Sequence, residues 1–497
     1  MNEIGGENQG VLSKSIHSGK WMAVSMVAQR VLSLVTFFVL ARLLTPADYG
    51  IITIVLMVTA VADRLASHGL GTALVQKGGD IDSYLDPLWT INLFKAFGLA
   101  LFIFLIAGPV SLFFNIPQAL PLLRLSGLMI VLSSFGNARE VYFFTNLDFK
   151  KVFWRDLTGQ LSYSLVAIAW SLLVSASVWA LLFGHFSRLL STTLVSYALY
   201  PSRPRLSFNF APLKKFFGYS KWVVGQNMLD YFNSLLDQFF VGRLLGAEKL
   251  GFYSKASDLA SMTRASLLSI ISKVGFYSYN IVQNDLKKIQ EGFVKSLDIM
   301  LMLAIPFSFL VIVEGGAMVS VLLGAKWLPL VVPFKILAVA NIFTAIYGVA
   351  YPIFNSIGRP DVNFKVTLVK LFLSLPLFYV GIKLWATNGA AAMAAIIALV
   401  LLLYVIWEAR KVLQLGRERL LPSFYHISLA MAPIIILAIG LRPFIHGFGN
   451  NYLILAWVAF LGLFYVALFW LLGRFFPNGP RSTVELIFSE IWSDWRS

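Results

Sequence analysis

Apolar runs of about twenty residues follow one another almost from end to end of this 497-residue chain, and 58% of its residues are hydrophobic. At roughly 1.5 Å of rise per residue, each run makes a helix long enough to cross a hydrocarbon core about 30 Å thick. Lipid offers no partner to a backbone N–H or C=O, so such runs are stable there as helices that satisfy their own hydrogen bonds. The chain is therefore predicted to be an all-α polytopic membrane protein. Allowing for short loops, the runs give about fourteen crossings.

The first two runs carry charge. Arg30 lies near the middle of the run from Trp21 to Leu44, and Asp63 and Arg64 lie in the later turns of the run from Tyr49 to His68. An unpaired charge facing lipid costs at least about 2.5 to 3.5 kcal/mol, so these groups are expected to face protein or water. Around Arg30, the polar residues Ser25, Gln29, Ser33 and Thr36 recur at helical spacing. Such a stripe is either a buried seam between packed helices or the lining of a wet cavity, and Arg30 favours the cavity.

The formal charge of +16 has no basic domain to carry it to a nucleic acid, so no nucleic-acid partner is expected. The excess Lys and Arg fall mostly in alternate loops, including Lys150, Lys151, Arg203, Arg205, Lys214 and Lys215. By the positive-inside rule these loops and both termini are cytoplasmic. The polar segment Met1 to Gly19 lacks the apolar core of a secretory signal, so no cleaved leader is expected. With no Cys there is no thiolate chemistry, and His17, His68, His185, His426 and His446 are scattered rather than clustered. Gly-rich phosphate loops and nucleophile motifs are missing as well. No catalytic residue, metal or cofactor is expected, and the chain reads as a transporter rather than an enzyme.

The chain also repeats itself. Lys20-Trp21 is echoed by Lys221-Trp222, Ser33-Leu34 by Ser234-Leu235, Arg42-Leu43-Leu44 by Arg243-Leu244-Leu245 and Gly50 by Gly251, all at the offset of 201 residues that separates Arg42 from Arg243. The polar stripe follows: Ser25 maps to Gln226, Gln29 to Asp230 and Thr36 to Asp237, with Asn233 on the same face. At the same offset Asp63 maps to Arg264. Two six-helix bundles, 1–205 and 206–410, are expected as a parallel repeat around a central cavity, followed by two added helices and an amphipathic tail over 411–497.

At Leu40-Ala-Arg-Leu-Leu-Thr-Pro-Ala-Asp-Tyr-Gly50, then His68-Gly-Leu-Gly-Thr-Ala-Leu-Val-Gln76 and Phe144-Thr-Asn-Leu-Asp-Phe149, the chain resembles the Wzx-type polysaccharide flippases. The likeness is to their lipopolysaccharide and colanic-acid exporter branch, within the multidrug/oligosaccharidyl-lipid/polysaccharide exporter superfamily. It implies alternating access that moves an undecaprenyl-pyrophosphate-linked oligosaccharide outward across the bacterial cytoplasmic membrane, for exopolysaccharide, capsule or O-antigen synthesis. Membrane lipids, a polysaccharide polymerase and export machinery would be its partners.

Guanidinium forks suit pyrophosphate oxygens, which makes Arg30, Arg64 and Arg264 candidate head-group ligands. Gln29, Asp63, Gln226 and Asn233 are candidates for the rest of the cavity, and Asp230 and Asp237 for a coupling ion or sugar hydroxyls. An Asp63–Arg64 pair that neutralises itself is the competing structural reading. Two other functions compete. A drug/cation antiporter of the same superfamily would be expected to have a more apolar cavity. A membrane polymerase, ligase or glycosyltransferase would need a large outer loop rich in acids or His, and the longest outer loop here is about Glu314 to Leu330.

Overall fold

The computed structural model describes residues 3–66, 81–146, 148–200, 202–209, 214–281, 285–414 and 417–472. Among them every regular element is helical. In chain order the helices are α1 (Glu3–Leu43), α2 (Pro46–Ala66), α3 (Asp82–Phe114), α4 (Ala119–Ser134), the short α5 (Val141–Thr145), α6 (Phe149–Leu173) and α7 (Val178–Leu199). They continue with α8 (Lys214–Ile281), α9 (Leu286–Leu322), α10 (Val331–Ser356), α11 (Pro360–Leu413), α12 (Arg417–Gly447) and α13 (Asn451–Leu472). Nine candidate spans among the described residues are long and apolar enough to cross a membrane.

Two of the longest elements are broken. Gly246, at φ +81°, interrupts α8, and Trp385 with Ala386 interrupts α11. The left-handed backbone at Gly246 is one that a residue lacking Cβ adopts without steric cost. Its counterpart 201 residues earlier is Thr45, in the gap between α1 and α2, so the backbone breaks at the same place in both repeats. In the first repeat the break is capped. The Asp48 carboxylate accepts from the Thr45 N–H at 2.9 Å and from its hydroxyl at 2.6 Å, and the Thr45 hydroxyl oxygen accepts from the Asp48 N–H at 3.2 Å. The other Asp48 oxygen accepts from the Val178 N–H at 3.0 Å, so one carboxylate serves the N-termini of α2 and α7.

The chain forms two compact units: Met1–Leu235 with Gly242–Gly251, and Leu236–Val241 with Phe252–Ser497. In the first, α1 packs on α6, α6 on α7, and α2 on α3, α4 and α7. Ala62, Ala96, Ile103 and Ile130 form a core where α2, α3 and α4 meet. The backbones of α2 and of the segment after the α8 break approach each other closely. A Cβ on Gly50 would overlap the Ala247 carbonyl, and one on Gly251 would overlap the Pro46 carbonyl. Outward, α3 exposes Phe97, Leu101, Phe102 and Leu105, an apolar face that suits hydrocarbon rather than water.

Residues 202–209 lie pinned to this unit. The Arg205 N–H donates to Asp86 and the Ser207 N–H to the Thr90 hydroxyl, while the Asn137 amide donates to the Tyr200 and Ser202 carbonyls. Arg139 pairs with Asp82 and Asp86 and donates to the Arg203 carbonyl of the same segment, and Arg155 pairs with Glu140 and Asp156. Burial raises the Glu140 pKa above the usual carboxylate range, against the opposing pull of Arg155.

In the second unit α10 packs on α9 and α11, and α12 and α13 pack on α9. Leu297, Leu301, Ile346 and Leu402 meet Ile427, Met431, Ile434, Trp457 and Leu461 in one core, so the two last helices are built into this unit. Glu314 of α9, 1% exposed, takes Arg442 at 3.5 Å and His446 at 3.0 Å from α12. Asp285 caps α9 by accepting from the Lys288 N–H, which holds its carboxylate pKa below the ordinary range. The Gln226 side chain, the segment His68 to Gln76 and the amphipathic tail lie outside the described residues.

Candidate functional site

The candidate residues divide between the two units. Gln29, Arg30, Asp63, Arg64, Asp230 and Asn233 belong to the first, and Asp237 and Arg264 to the second.

On α1, the Gln29 amide donates to the Ser25 hydroxyl at 2.7 Å, which orders the polar stripe along its own helix. The stripe is not uniform. Thr36 is buried, bonded to the Leu32 carbonyl and to the Ser164 hydroxyl of α6 at 2.6 Å, so this part of the stripe is a seam between packed helices. Arg30 is half-buried, with no ion pair among the described residues.

Asp63 and Arg64 are exposed near the end of α2. The Arg64 guanidinium lies over the Tyr231 ring, its Cζ 4.0 Å from the centroid. A guanidinium over an aromatic face is drawn to the negative face of the ring quadrupole, and Asp63 puts a carboxylate in the same neighbourhood. Tyr231 follows Asp230, which is half-buried, and the same helix buries Asn233.

In the second unit Asp237 accepts from the Gln238 N–H at 2.8 Å and from the Tyr253 hydroxyl at 3.0 Å. Tyr253 is fully buried, so this carboxylate is held by a phenol across the α8 break. Arg264, further along α8, donates from Nε to the Asn341 Oδ1 of α10 at 2.6 Å. No carboxylate among the described residues pairs with it. Elsewhere the pattern differs: Arg139, Arg155, Arg359 and Arg442 each hold an Asp or Glu.

Three partners were not marked by the sequence reading: Tyr231, Tyr253 and Asn341. The 201-residue offset pairs Tyr231 with Arg30, so the repeat itself singles out that position. Asn341 is one of two amides in the apolar run of α10, with Asn355 near its end, and that polar break in the run is its local signal.

Residues 39–332 match the family model described as "Polysaccharide biosynthesis protein". The chain belongs to that family. Relatives of this polysaccharide biosynthesis family member include the lipopolysaccharide biosynthesis protein WzxC of Escherichia coli, 25% identical over 74% of this chain and 75% of its own length. The teichuronic acid biosynthesis protein TuaB of Bacillus subtilis is 22% identical over 86% and 89%. The succinoglycan biosynthesis transport protein ExoT of Rhizobium meliloti is 24% identical over 76% and 73%. Among solved structures, the lipid II flippase MurJ in an inward closed conformation shares the fold at a TM-score of 0.73 and 15% identity, over 92% of this chain and 98% of that one. An inward-facing multidrug MATE transporter aligns at 0.60 and 14%, over 80% and 98%. The fold of this family member is thus the all-α polytopic membrane fold expected from its apolar runs.

Proposed function

We propose that the protein is a flippase that carries an undecaprenyl-pyrophosphate-linked oligosaccharide from the cytoplasmic to the outer leaflet for surface polysaccharide assembly, by alternating access. The observation that carries the reading is the state of its intramembrane arginines. Arg64 rests on a tyrosine ring and Arg264 on a neutral amide. A diphosphate crossing a low-dielectric layer needs compensating cations and donors along its route. Arg264, which no described carboxylate pairs, supplies such a cation.

The setting follows from the same reading. Fourteen crossings, with α8 and α11 each crossing twice at their breaks, put both termini in the cytoplasm, and the bundles 1–205 and 206–410 with the added segment 411–497 surround the cavity. Gln29, Gln226 and Asn233 would meet sugar hydroxyls. Asp237, hydrogen-bonded to Tyr253, and Asp230 would take the coupling ion. With the cytoplasm negative, each uncompensated negative charge moved outward gains roughly 2.3 kcal/mol per 100 mV, so the potential assists release. The product is handed to a polymerase and export machinery.

The test is export in a deletion strain. Arg64→Ala and Arg264→Ala should each abolish surface polysaccharide and leave lipid-linked repeat units inside, at matched membrane expression. Lys at either position should retain part of it, keeping the charge without the fork. Normal export by both alanine variants would overturn the cationic route.

A further inference from the structure

The Arg264–Asn341 contact has an internal direction. The Asn341 Nδ2 donates to the Leu337 carbonyl one turn back on α10, at 2.9 Å. That bond turns the amide so that its oxygen faces Arg264, which it meets at 2.6 Å. The reverse orientation would set an N–H₂ donor against a guanidinium that can only donate. Asn341 is therefore an acceptor in fixed orientation, held by its own helix.

The contact uses Nε, the inner nitrogen. A guanidinium carries five N–H donors, of which Nε contributes one, so the four on the terminal nitrogens are not spent on Asn341. Binding through Nε also restrains the plane of the group, which otherwise rotates on a long flexible stem. The partner is neutral. An aspartate here would hold the same nitrogen more tightly and would cancel the charge that an anion is to meet.

We infer that Asn341 is a positioning residue: it fixes the plane of Arg264 through Nε, leaves the terminal fork and the full positive charge to a diphosphate, and does so because it is an amide and not a carboxylate. This inference rests on the flippase reading and deepens it. It assigns the diphosphate to the Arg264 fork, and it makes neutrality at position 341 a condition for binding.

The full-length protein in detergent micelles, titrated with radiolabelled inorganic pyrophosphate, tests this alongside thermal melting of the same samples. Wild type should bind. Asn341→Ala should weaken binding roughly tenfold, the loss expected when a hydrogen bond to a charged group is removed. Asn341→Gln, a neutral acceptor one methylene longer, should recover part of that loss. Asn341→Asp should bind worst of all while melting at or above the wild-type midpoint, which a merely structural role does not predict. In the Arg264→Lys background, where Nε–H is gone, the asparagine, glutamine and alanine proteins should bind alike, while aspartate should still bind worst because it pairs with the ammonium.

If Asn341→Asp folds and binds pyrophosphate as tightly as wild type, the positioning role is wrong even though the diphosphate reading stands. If Asn341→Ala does not fold, the aspartate and glutamine variants decide the matter alone. If wild type itself does not bind pyrophosphate, the diphosphate reading falls, and this role with it.

Discussion

Gly50 and Gly251 meet backbone to backbone: a side-chain carbon on Gly251 would fall 3.2 Å from the Gly50 nitrogen and onto the Pro46 carbonyl, while one on Gly50 would fall onto the carbonyl of Ala247. Backbone atoms cannot swing aside as a flexible side chain can, so even a methyl group forces the two helices apart. Gly50→Ala and Gly251→Ala should each destabilise the protein by about 1 to 3 kcal/mol, the range for overpacking a close contact. The double variant should cost less than the two losses added together, since the first separation already makes room for the second methyl. Melting midpoints of the three purified variants check this. An unchanged midpoint for either single variant would mean that the helices do not touch there.

The stack of Arg64 on Tyr231 should be felt in transport. Tyr231→Leu removes the ring and should lower export from limiting substrate roughly three- to tenfold, as expected for a partly desolvated cation–π contact. Tyr231→Phe keeps the ring but loses the hydroxyl that Arg64 also reaches, so it should fall between leucine and wild type. Quantifying surface polysaccharide at graded expression separates this order from the one a hydroxyl-dependent role would give, with Phe as poor as Leu.

Asp48 should matter for stability more than an exposed acid usually does, because its two oxygens serve α2 and α7. Asp48→Ala should lower stability by about 1 to 2 kcal/mol, toward the upper end for a lost cap. Thr45→Ala added to it should cost little more, as both residues belong to one reciprocal cap. Differential scanning fluorimetry of the single and double variants would reveal full additivity if the cap were not shared.

Acid should expose the α9 cap. The Lys288 N–H holds the Asp285 pKa below the ordinary carboxylate range. A depressed folded pKa means that the stabilisation is present above the unfolded value of about 4 and is lost as the pH falls through the folded one. Asp285→Asn still accepts the hydrogen bond but does not titrate, so its melting midpoint should decline less than that of wild type over that acid window. Parallel curves for the two proteins would remove the carboxylate from the account.

Much of the architecture could be read from residues alone, because its causes are local. The Arg-Leu-Leu hinge recurs at a constant offset, and the backbone breaks at Thr45 and Gly246 fall on that register. The break at Trp385 and Ala386 lies between two apolar runs, the first ending near Leu384 and the second beginning near Gly389. The partners of the charged residues were less legible. Asn341 is 77 residues from Arg264, and whether they meet depends on how α10 is rotated against α8, which no short-range pattern encodes. Thr36 belongs to the polar stripe by spacing, yet it bonds Ser164, since spacing defines a face and not what that face meets. The docking of residues 202–209 on Asp86 and Thr90 was equally hidden, because backbone N–H groups supply the donors and any sequence carries those.

The reciprocity at the glycine seam bears on ancestry. Gly50 meets Ala247, and the same positions moved by one repeat, Gly251 and Pro46, meet in turn. A surface that binds its own copy through the same two positions is what a symmetric homodimer uses. A chain one repeat long would already have carried the whole patch, ready to pair with a second molecule of itself. Fusing two such chains end to end would have kept the seam intact, and only afterwards could the two sides drift toward different chemistry, an arginine at position 30 on one and a tyrosine at position 231 on the other.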